Sequence, residues 1–243
     1  MTITSLENEK IKNLIKLQMK KYRDLTSTYL VEGEHLVEEA IKAGVCLEVF
    51  LLENEECSFS PCTYVSCEVM KKLSMMDTPS TMIAYCKKRK QEEIVGNKIL
   101  LLDEIQDPGN LGTIIRSSVA FGVDTIILSE NTVDLYNPKV LRSTQGMHFH
   151  IPILSMDSME AASFMKEHQI PLYGTNVEDG VKASELSSSQ KEKYCLVMGN
   201  EGNGVRRELQ DICDLNLYIP MNEQVESLNV GVACSILLYE LNR

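Results

Sequence analysis

From Lys98 onward the chain repeats a single pattern: the apolar runs "ILLL", "DTIILS", "IPLYGT", "YCLVMG" and "LNLYIP", mostly followed by a loop and a segment of helical spacing. Uninterrupted runs of this kind suit strands buried on both faces, and such strands belong to parallel sheets whose crossovers are helices. The second part of the chain therefore reads as an α/β layer domain. In open sheets of this type ligands lie beyond the carboxyl ends of the strands. The loops after "ILLL", "YCLVM" and "LNLYIP" are where chemistry is expected.

The first part has a different rhythm. Residues 5–23 and 33–43 show helical spacing (Ile11, Leu14, Ile15, Met19; then Leu36, Val37, Ala40, Ile41), and Gly44 stops the second helix. "LEVFLL", "TYVSC" and "TMIAYC" read as short strands. The charged stretch "KKRKQEEIVGNK" then marks a boundary near residue 95. This predicts a small α/β domain over 1–94 and a larger parallel-sheet domain over 95–243. No apolar stretch approaches the ~18 residues of a membrane helix, and the first residues lack a signal-peptide core. The reading is a soluble, cytoplasmic chain without a membrane partner. Cys57, Cys62 and Cys67 stand at intervals that fit neither a zinc site nor a redox Cys-x-x-Cys, so no metal is expected.

Net charge is −11, which argues against a nucleic-acid partner until its distribution is considered. Residues 1–90 balance 13 basic against 13 acidic residues, and residues 91–243 hold 11 against 22. Within the neutral part, "KIKNLIKLQMKKYR" carries Lys10, Lys12, Lys16, Lys20, Lys21 and Arg23 without an acidic residue, and "KKRK" at 87–90 adds a second basic run. Either run alone is as well explained by a solvated helix face or a charged linker.

The glycine-rich loop "MGNEGNGVRREL" is a poor phosphate cradle. Gly199 and Gly204 have P-loop spacing, but Val205 and Arg206 replace the required lysine and hydroxyl; a dinucleotide fingerprint fails at Arg207. Glu201 adds a carboxylate that would repel phosphate, and the glycines suit close backbone approach by a flat or neutral group. In "DEIQDPGNLGTIIRSSVAFG", Pro108 and Gly109 predict a turn, Asn110 can cap the next helix, and Gly122 ends it. That helix turns Ile115, Val119 and Ala120 to the sheet. Arg116 follows Gly112 by one turn, so its guanidinium can fold back toward the loop. In "YIPMNEQVESLNVGVACSILLYEL", Ser227 and Asn229 stand where a loop becomes a helix with a buried stripe of Val230, Ala233 or Cys234, Leu237 and Leu241. Gly231, Ala233, Cys234 and Ser235 leave one side small, as packing against another helix or another subunit requires.

Together, "DPGNLGTIIR", "MGNEGNGV" and "IPMNEQVESLNVGVA", in this order, resemble the three motifs of the SpoU (TrmH-type) RNA ribose 2'-O-methyltransferases of the SPOUT superfamily. The resemblance covers most of residues 98–242. "KYRDLTSTYLVEGEHLVEEAI" is similar to the start of the small RNA-recognition domain that many members carry. Asp107 departs from the asparagine common before the proline.

The resemblance implies a parallel sheet whose C-terminal part is threaded into a deep trefoil knot, which sequence reasoning alone rejects as too rare. It also implies S-adenosyl-L-methionine as cofactor, a homodimer with active sites near the subunit interface, and RNA as substrate, ribosomal RNA in preference to transfer RNA. Carried over by motif, the catalytic residues are Arg116, Asn110, Glu201, Ser227 and Asn229, with Asn110 and Glu201 holding the arginine. The cofactor is expected against Gly199, Ile219 and Leu228, with Thr175, Gly204 and Met221 close by. Lys10, Lys12, Lys16, Lys20, Lys21 and Arg23 are expected to grip RNA phosphates. A nicotinamide oxidoreductase and a non-catalytic RNA-binding assembly factor are the competing readings; the missing dinucleotide fingerprint disfavours the first and the retained polar residues the second.

Overall fold

A computed structural model describes residues 2–57, 59–90, 93–177 and 180–243, and the chain divides into two units. The first is Met1–Lys90 with Asp134–Phe149; the second is Gln91–Val133 with His150–Arg243. A single cut near residue 95 leaves out the returning segment. Its Leu141 and Phe149 are buried in the hydrophobic core of the first unit, beside Tyr29, Val31 and Val37, which explains the grouping.

The first unit contains α1 (Glu9–Lys16), α2 (Lys20–Thr26), β1 (Thr28–Glu32), α3 (Glu34–Lys42), β2 (Cys46–Leu52), β3 (Cys62–Val65), α4 (Cys67–Leu73) and β4 (Met82–Lys87). Its sheet runs β1-β4-β2-β3, with β4 antiparallel to both neighbours and β2 parallel to β3. The expected helix over 5–23 is two helices. Asn8 caps the first by accepting from the N–H groups of Lys10 and Ile11, and Met19 takes an extended conformation before the second. Ile11, Leu14 and Leu17 then meet Phe50, Val69 and Leu73 in a second core.

In the second unit β5 (Lys98–Leu102), α5 (Pro108–Ala120) and β6 (Thr125–Leu128) precede the excursion that supplies α6 (Pro138–Thr144) to the first unit. After it come β7 (Ile153–Ser155), α7 (Ser158–Glu167), β8 (Leu172–Thr175), β9 (Val181–Lys182), α8 (Ser188–Glu192), β10 (Tyr194–Met198), α9 (Arg207–Gln210), β11 (Leu215–Tyr218) and α10 (Val230–Asn242). All pairings are parallel, in the order β7-β6-β5-β10-β8-β11-β9. The expected α/β parallel sheet is thus the observed one. Each apolar run is a strand, and β6 and β10 are buried along their whole length.

Helix α10 packs on α5. Gly231 faces Thr113 closely, since a Cβ there would stand 3.3 Å from its side chain, and Ser117 Oγ meets Ser235 Oγ at 2.6 Å. The small face of α10 is therefore taken by α5 of the same chain. On α5 the buried positions are Leu111, Gly112, Ile114, Ile115 and Ser118, so Ala120 faces solvent instead of the sheet.

Candidate active site

Three loops converge beyond the carboxyl ends of β5, β10 and β11, and their side chains are joined by hydrogen bonds. The Glu201 carboxylate, in the loop after β10, accepts from the N–H groups of Gln106 and Asp107 and from Asn110 Nδ2, each at 3.0 Å. Asn110 Oδ1 in turn accepts from Asn229 Nδ2 at 2.8 Å. One relay, Glu201–Asn110–Asn229, ties all three sequence motifs together. Partial burial opposes charge on Glu201, but the donors from Asn110, Asp107 and Gln106 outweigh it and hold the carboxyl below its usual range.

Two helix caps free this relay to form. Asp107, not Asn110, caps α5: its Oδ1 accepts from Gly109 N–H at 2.7 Å and Asn110 N–H at 2.9 Å, with Pro108 in the first turn. The departure from asparagine at position 107 keeps an N-cap oxygen in place, and the Asn110 amide is left to bridge. Asn229 caps α10 through Oδ1, accepting from Gly231 N–H at 3.0 Å and Val232 N–H at 3.2 Å, while its Nδ2 serves Asn110. Ser227 lies in the loop before that cap.

Beside the relay is a cavity of ≈ 650 Å³, within the range of small-molecule sites. Thr175, Gly199, Gly204, Ile219, Met221 and Leu228 all line it, as do Glu201, Ser227 and Asn229. Thr175 Oγ1 donates to the carbonyl of Val197 at 3.1 Å. The loop folds on itself, with Asn200 N–H donating to Gly204 O at 3.0 Å and Gly204 N–H returning to Asn200 O at 2.9 Å. Gly199 is required there: a Cβ would overlap the main chain of Gly204 and Val205.

Asn200, Gln210 and Glu226 also line the cavity and were not anticipated. Asn200 had a readable signal, because an asparagine among glycines favours a local turn; its Oδ1 accepts from Gly202 N–H and Asn203 N–H. Asp103 and Arg206 are a second omission, a pair under the loop in which the carboxylate is fully buried and the guanidinium is partly exposed.

Arg116 is placed differently from the expectation. It is exposed on α5, does not line the cavity, and makes no hydrogen bond with Asn110 or Glu201, which hold each other instead. The basic segment also differs. Arg23 is 4% exposed and donates to the carbonyls of Leu17 and Gln18 and to Asp134 at 2.6 Å, so it is internal and closed to RNA. Lys10 pairs with Glu48, Lys12 with Glu7 and Lys20 with Asp24; Lys16 donates to Asn13, and Lys21 is exposed. In the second basic run Lys88 pairs with Asp24, and Arg89 donates to the carbonyls of Phe149 and Ala43. Among the described residues, no group of three or more His, Cys, Asp or Glu could hold a metal ion.

A parallel α/β unit with a glycine-rich loop after one strand, tied by Glu201 to a loop that opens a helix, defines the class. The chain belongs to the SpoU rRNA Methylase family, whose pattern matches residues 97–239, and residues 8–84 match an MRM3-like substrate binding domain. One relative is the 23S rRNA (guanosine(2553)-2'-O)-methyltransferase RlmP of Bacillus subtilis (strain 168), 40% identical over 98% of both chains. Among solved structures, an RNA 2'-O ribose methyltransferase is 32% identical, with a TM-score of 0.85 over 99% of this chain and 98% of that one. An AdoMet-bound rRNA methyltransferase from Sinorhizobium meliloti is 27% identical, with a TM-score of 0.86 over 99% and 97% of the two chains.

Proposed function

We propose that this protein transfers a methyl group from S-adenosylmethionine to a ribose 2'-hydroxyl of ribosomal RNA, in the cytoplasm and as a homodimer. The observation that carries the reading is the relay Glu201–Asn110–Asn229 beside a cavity that Glu201 and Asn229 themselves line. Support for the substrate comes from the full-length likeness to a 23S rRNA methyltransferase.

The cavity suits the donor chemically. Among the described residues that line it, the ionisable ones are Glu201 and Glu226, with no lysine or arginine. That balance favours a cationic sulfonium and disfavours a polyphosphate. Main chain at Gly199, Ile219 and Leu228 holds the donor, with Thr175, Gly204 and Met221 shaping the walls. When bound, the donor supplies a methyl carbon already activated by its sulfonium.

The protein's own task is orientation and charge. Asn110 and Glu201 fix the relative positions of the loops, and Ser227 and Asn229 hydrogen-bond in the pocket. Arg116 stabilises negative charge developing on the ribose oxygen; a guanidinium does not surrender its proton, so the hydroxyl proton leaves to another acceptor.

Because Arg116 lies outside the cavity lining of one chain, we assign its role to the dimer. Val232, Ile236 and Tyr239 form an exposed stripe on α10, 46%, 36% and 50% accessible, and α10 packs beside the helix that carries Arg116. An apolar stripe of this kind suits a subunit interface. The trefoil knot belongs to the same reading, supported by the late strand β10 lying between the earlier β5 and β8. In the first unit, Lys16 and Lys21 are the lead contacts to RNA phosphate, with Lys10, Lys12 and Lys20 available by exchange of their partners.

The test is transfer of labelled methyl from S-adenosylmethionine to total RNA, followed by mapping of 2'-O-methyl positions. Label in ribosomal RNA as a 2'-O-methylnucleoside is expected. Label confined to transfer RNA overturns the substrate, and absence of donor binding overturns the reading.

A further inference from the structure

The glycine-rich loop is held at both ends, and only one end belongs to the recognised motifs. At its start Asn200 Nδ2 donates to Glu104 O at 2.9 Å, next to the Glu201 relay. At its far end Arg206 reaches under the loop to Asp103, the residue that follows β5. The Arg206 N–H donates to Asp103 Oδ2 at 3.2 Å, Nε to both carboxylate oxygens at 3.1 Å, and a terminal nitrogen to Oδ1 at 2.8 Å. Asp103 is fully buried, accepts from Ser158 Oγ at 2.7 Å, and donates its own N–H to Met198 O at 2.8 Å, directly before Gly199.

A carboxylate taken wholly out of water needs a cation and a full set of donors. Here that cation is carried by the residue directly after the loop, so neutralising Asp103 and closing the loop are one event. The planar fork matters as well as the charge. Side-chain and main-chain nitrogens of the same residue converge on one carboxylate, which fixes the direction in which the chain leaves Val205, a cavity-lining residue.

We propose that the Asp103–Arg206 pair is a positioning device that keeps the loop 199–205 in its binding shape before any ligand arrives, and so sets the affinity for the methyl donor. Neither residue lines the cavity. The inference rests on the reading of the cavity as a donor site, and its test separates the two.

Arg206→Lys retains the charge and loses the fork; Asp103→Asn retains the shape and loses the charge. Both are compared with the wild-type chain by calorimetric binding of S-adenosylhomocysteine, by methyl-transfer kinetics, and by amide hydrogen exchange without ligand. For Arg206→Lys, loss of charge-assisted hydrogen bonds predicts affinity weakened on the order of tenfold. KM for the donor rises with it while kcat and KM for RNA stay near wild type. Amides of 199–205 lose protection, and those of β5 and β10 keep it. Unchanged loop exchange with unchanged affinity overturns the proposal. So does an even loss of protection across the second unit, which marks the pair as a general support of the fold. Should the wild-type chain bind no donor, the functional reading fails, and the exchange of the ligand-free loop still decides whether the pair holds it.

Discussion

Asn229 Nδ2 donates to Asn110 Oδ1 across 2.8 Å, joining two loops 119 residues apart, while the other end of the Asn110 amide is given to Glu201. A primary amide is suited to this place because it donates and accepts at once. Asn110→Ala breaks both bonds and leaves Glu201 and Asn229 without their shared partner. Hydrogen bonds involving a charged group contribute about 1.5–3 kcal/mol each, so single-turnover methyl transfer should fall by about 10–100-fold. Affinity for S-adenosylhomocysteine should change much less, because Asn110 does not line the cavity. Loss of affinity equal to the loss of rate would move Asn110 from orienting the loops to shaping the donor site.

The Glu201 carboxyl sits below its usual range because the donors from Asn110, Asp107 and Gln106 outweigh the opposing effect of partial burial. The unfolded chain therefore binds more protons than the folded one where this group titrates. Its contribution to stability is complete above the ordinary glutamate value of about 4.3 and is lost as pH falls through the lower folded value. Glu201→Gln cannot lose a proton, so it lacks that contribution. Urea denaturation of the two proteins should show a stability difference at neutral pH that narrows as the solution is acidified below about pH 4. A constant difference down to acid would mean that the ionisation of Glu201 contributes nothing to stability.

Arg23 is expected to matter for stability and not for RNA. Its guanidinium is closed in by the carbonyls of Leu17 and Gln18 and by Asp134, and the pair is 5% and 14% exposed at its two side chains. Removing one partner of a buried pair leaves an uncompensated charge and costs about 3–5 kcal/mol. Arg23→Ala should lower the unfolding free energy by that order, whereas Lys21→Ala should leave it unchanged and weaken RNA binding. The salt dependence of RNA binding should become shallower for Lys21→Ala, as expected when one phosphate contact is lost.

These same residues mark how far the sequence could be read. The parallel sheet was legible because uninterrupted apolar runs have few other uses, and the glycine-rich loop was legible as a cavity wall other than a phosphate cradle because phosphate chemistry could be eliminated residue by residue. The edge strands β7 and β9, three and two residues long, were not, since nothing so short carries a period. β1 was missed for another reason: "TYLVE" stands between two helices and pairs with the distant β4. The basic run was legible as composition but not as surface. Lys10 finds Glu48 and Arg23 finds Asp134, and a run of charges along the chain says nothing of partners brought from elsewhere by folding. The relay was the least visible, because it depends on Asp107 and Asn229 taking the helix caps, which decides what Asn110 is free to do.

The apolar stripe on α10 makes a separate prediction about assembly. Ile236 is the middle of Val232, Ile236 and Tyr239 and is 36% exposed, so Ile236→Asp should alter the surface without opening the core. By sedimentation the variant should be monomeric, with loss of methyl transfer matching that of Arg116→Ala and about 10²-fold or more. Donor binding should survive in both. A monomeric variant with full activity would show that one chain brings Arg116 to its own cavity.

Two of the three glycines of the glycine-rich loop, Gly199 and Gly204, should fail differently. At Gly199 a Cβ would overlap the main chain of Gly204 and Val205, which no side-chain adjustment can relieve, so the loop must open. At Gly204 the backbone has φ +69° and nothing lies within 4 Å of a Cβ, so the obstacle is conformational alone. A non-glycine residue in that region costs about 1–2 kcal/mol, less for asparagine, whose short polar side chain tolerates it. Gly199→Ala should therefore abolish binding of S-adenosylhomocysteine while the denaturation midpoint of the second unit shifts little, because the loop lies outside the sheet. Gly204→Asn should retain binding with a modest loss of affinity, about tenfold or less if the strain opposes binding in full. Equal loss from both substitutions would mean that backbone freedom at 204, and not the contact at 199, shapes the loop.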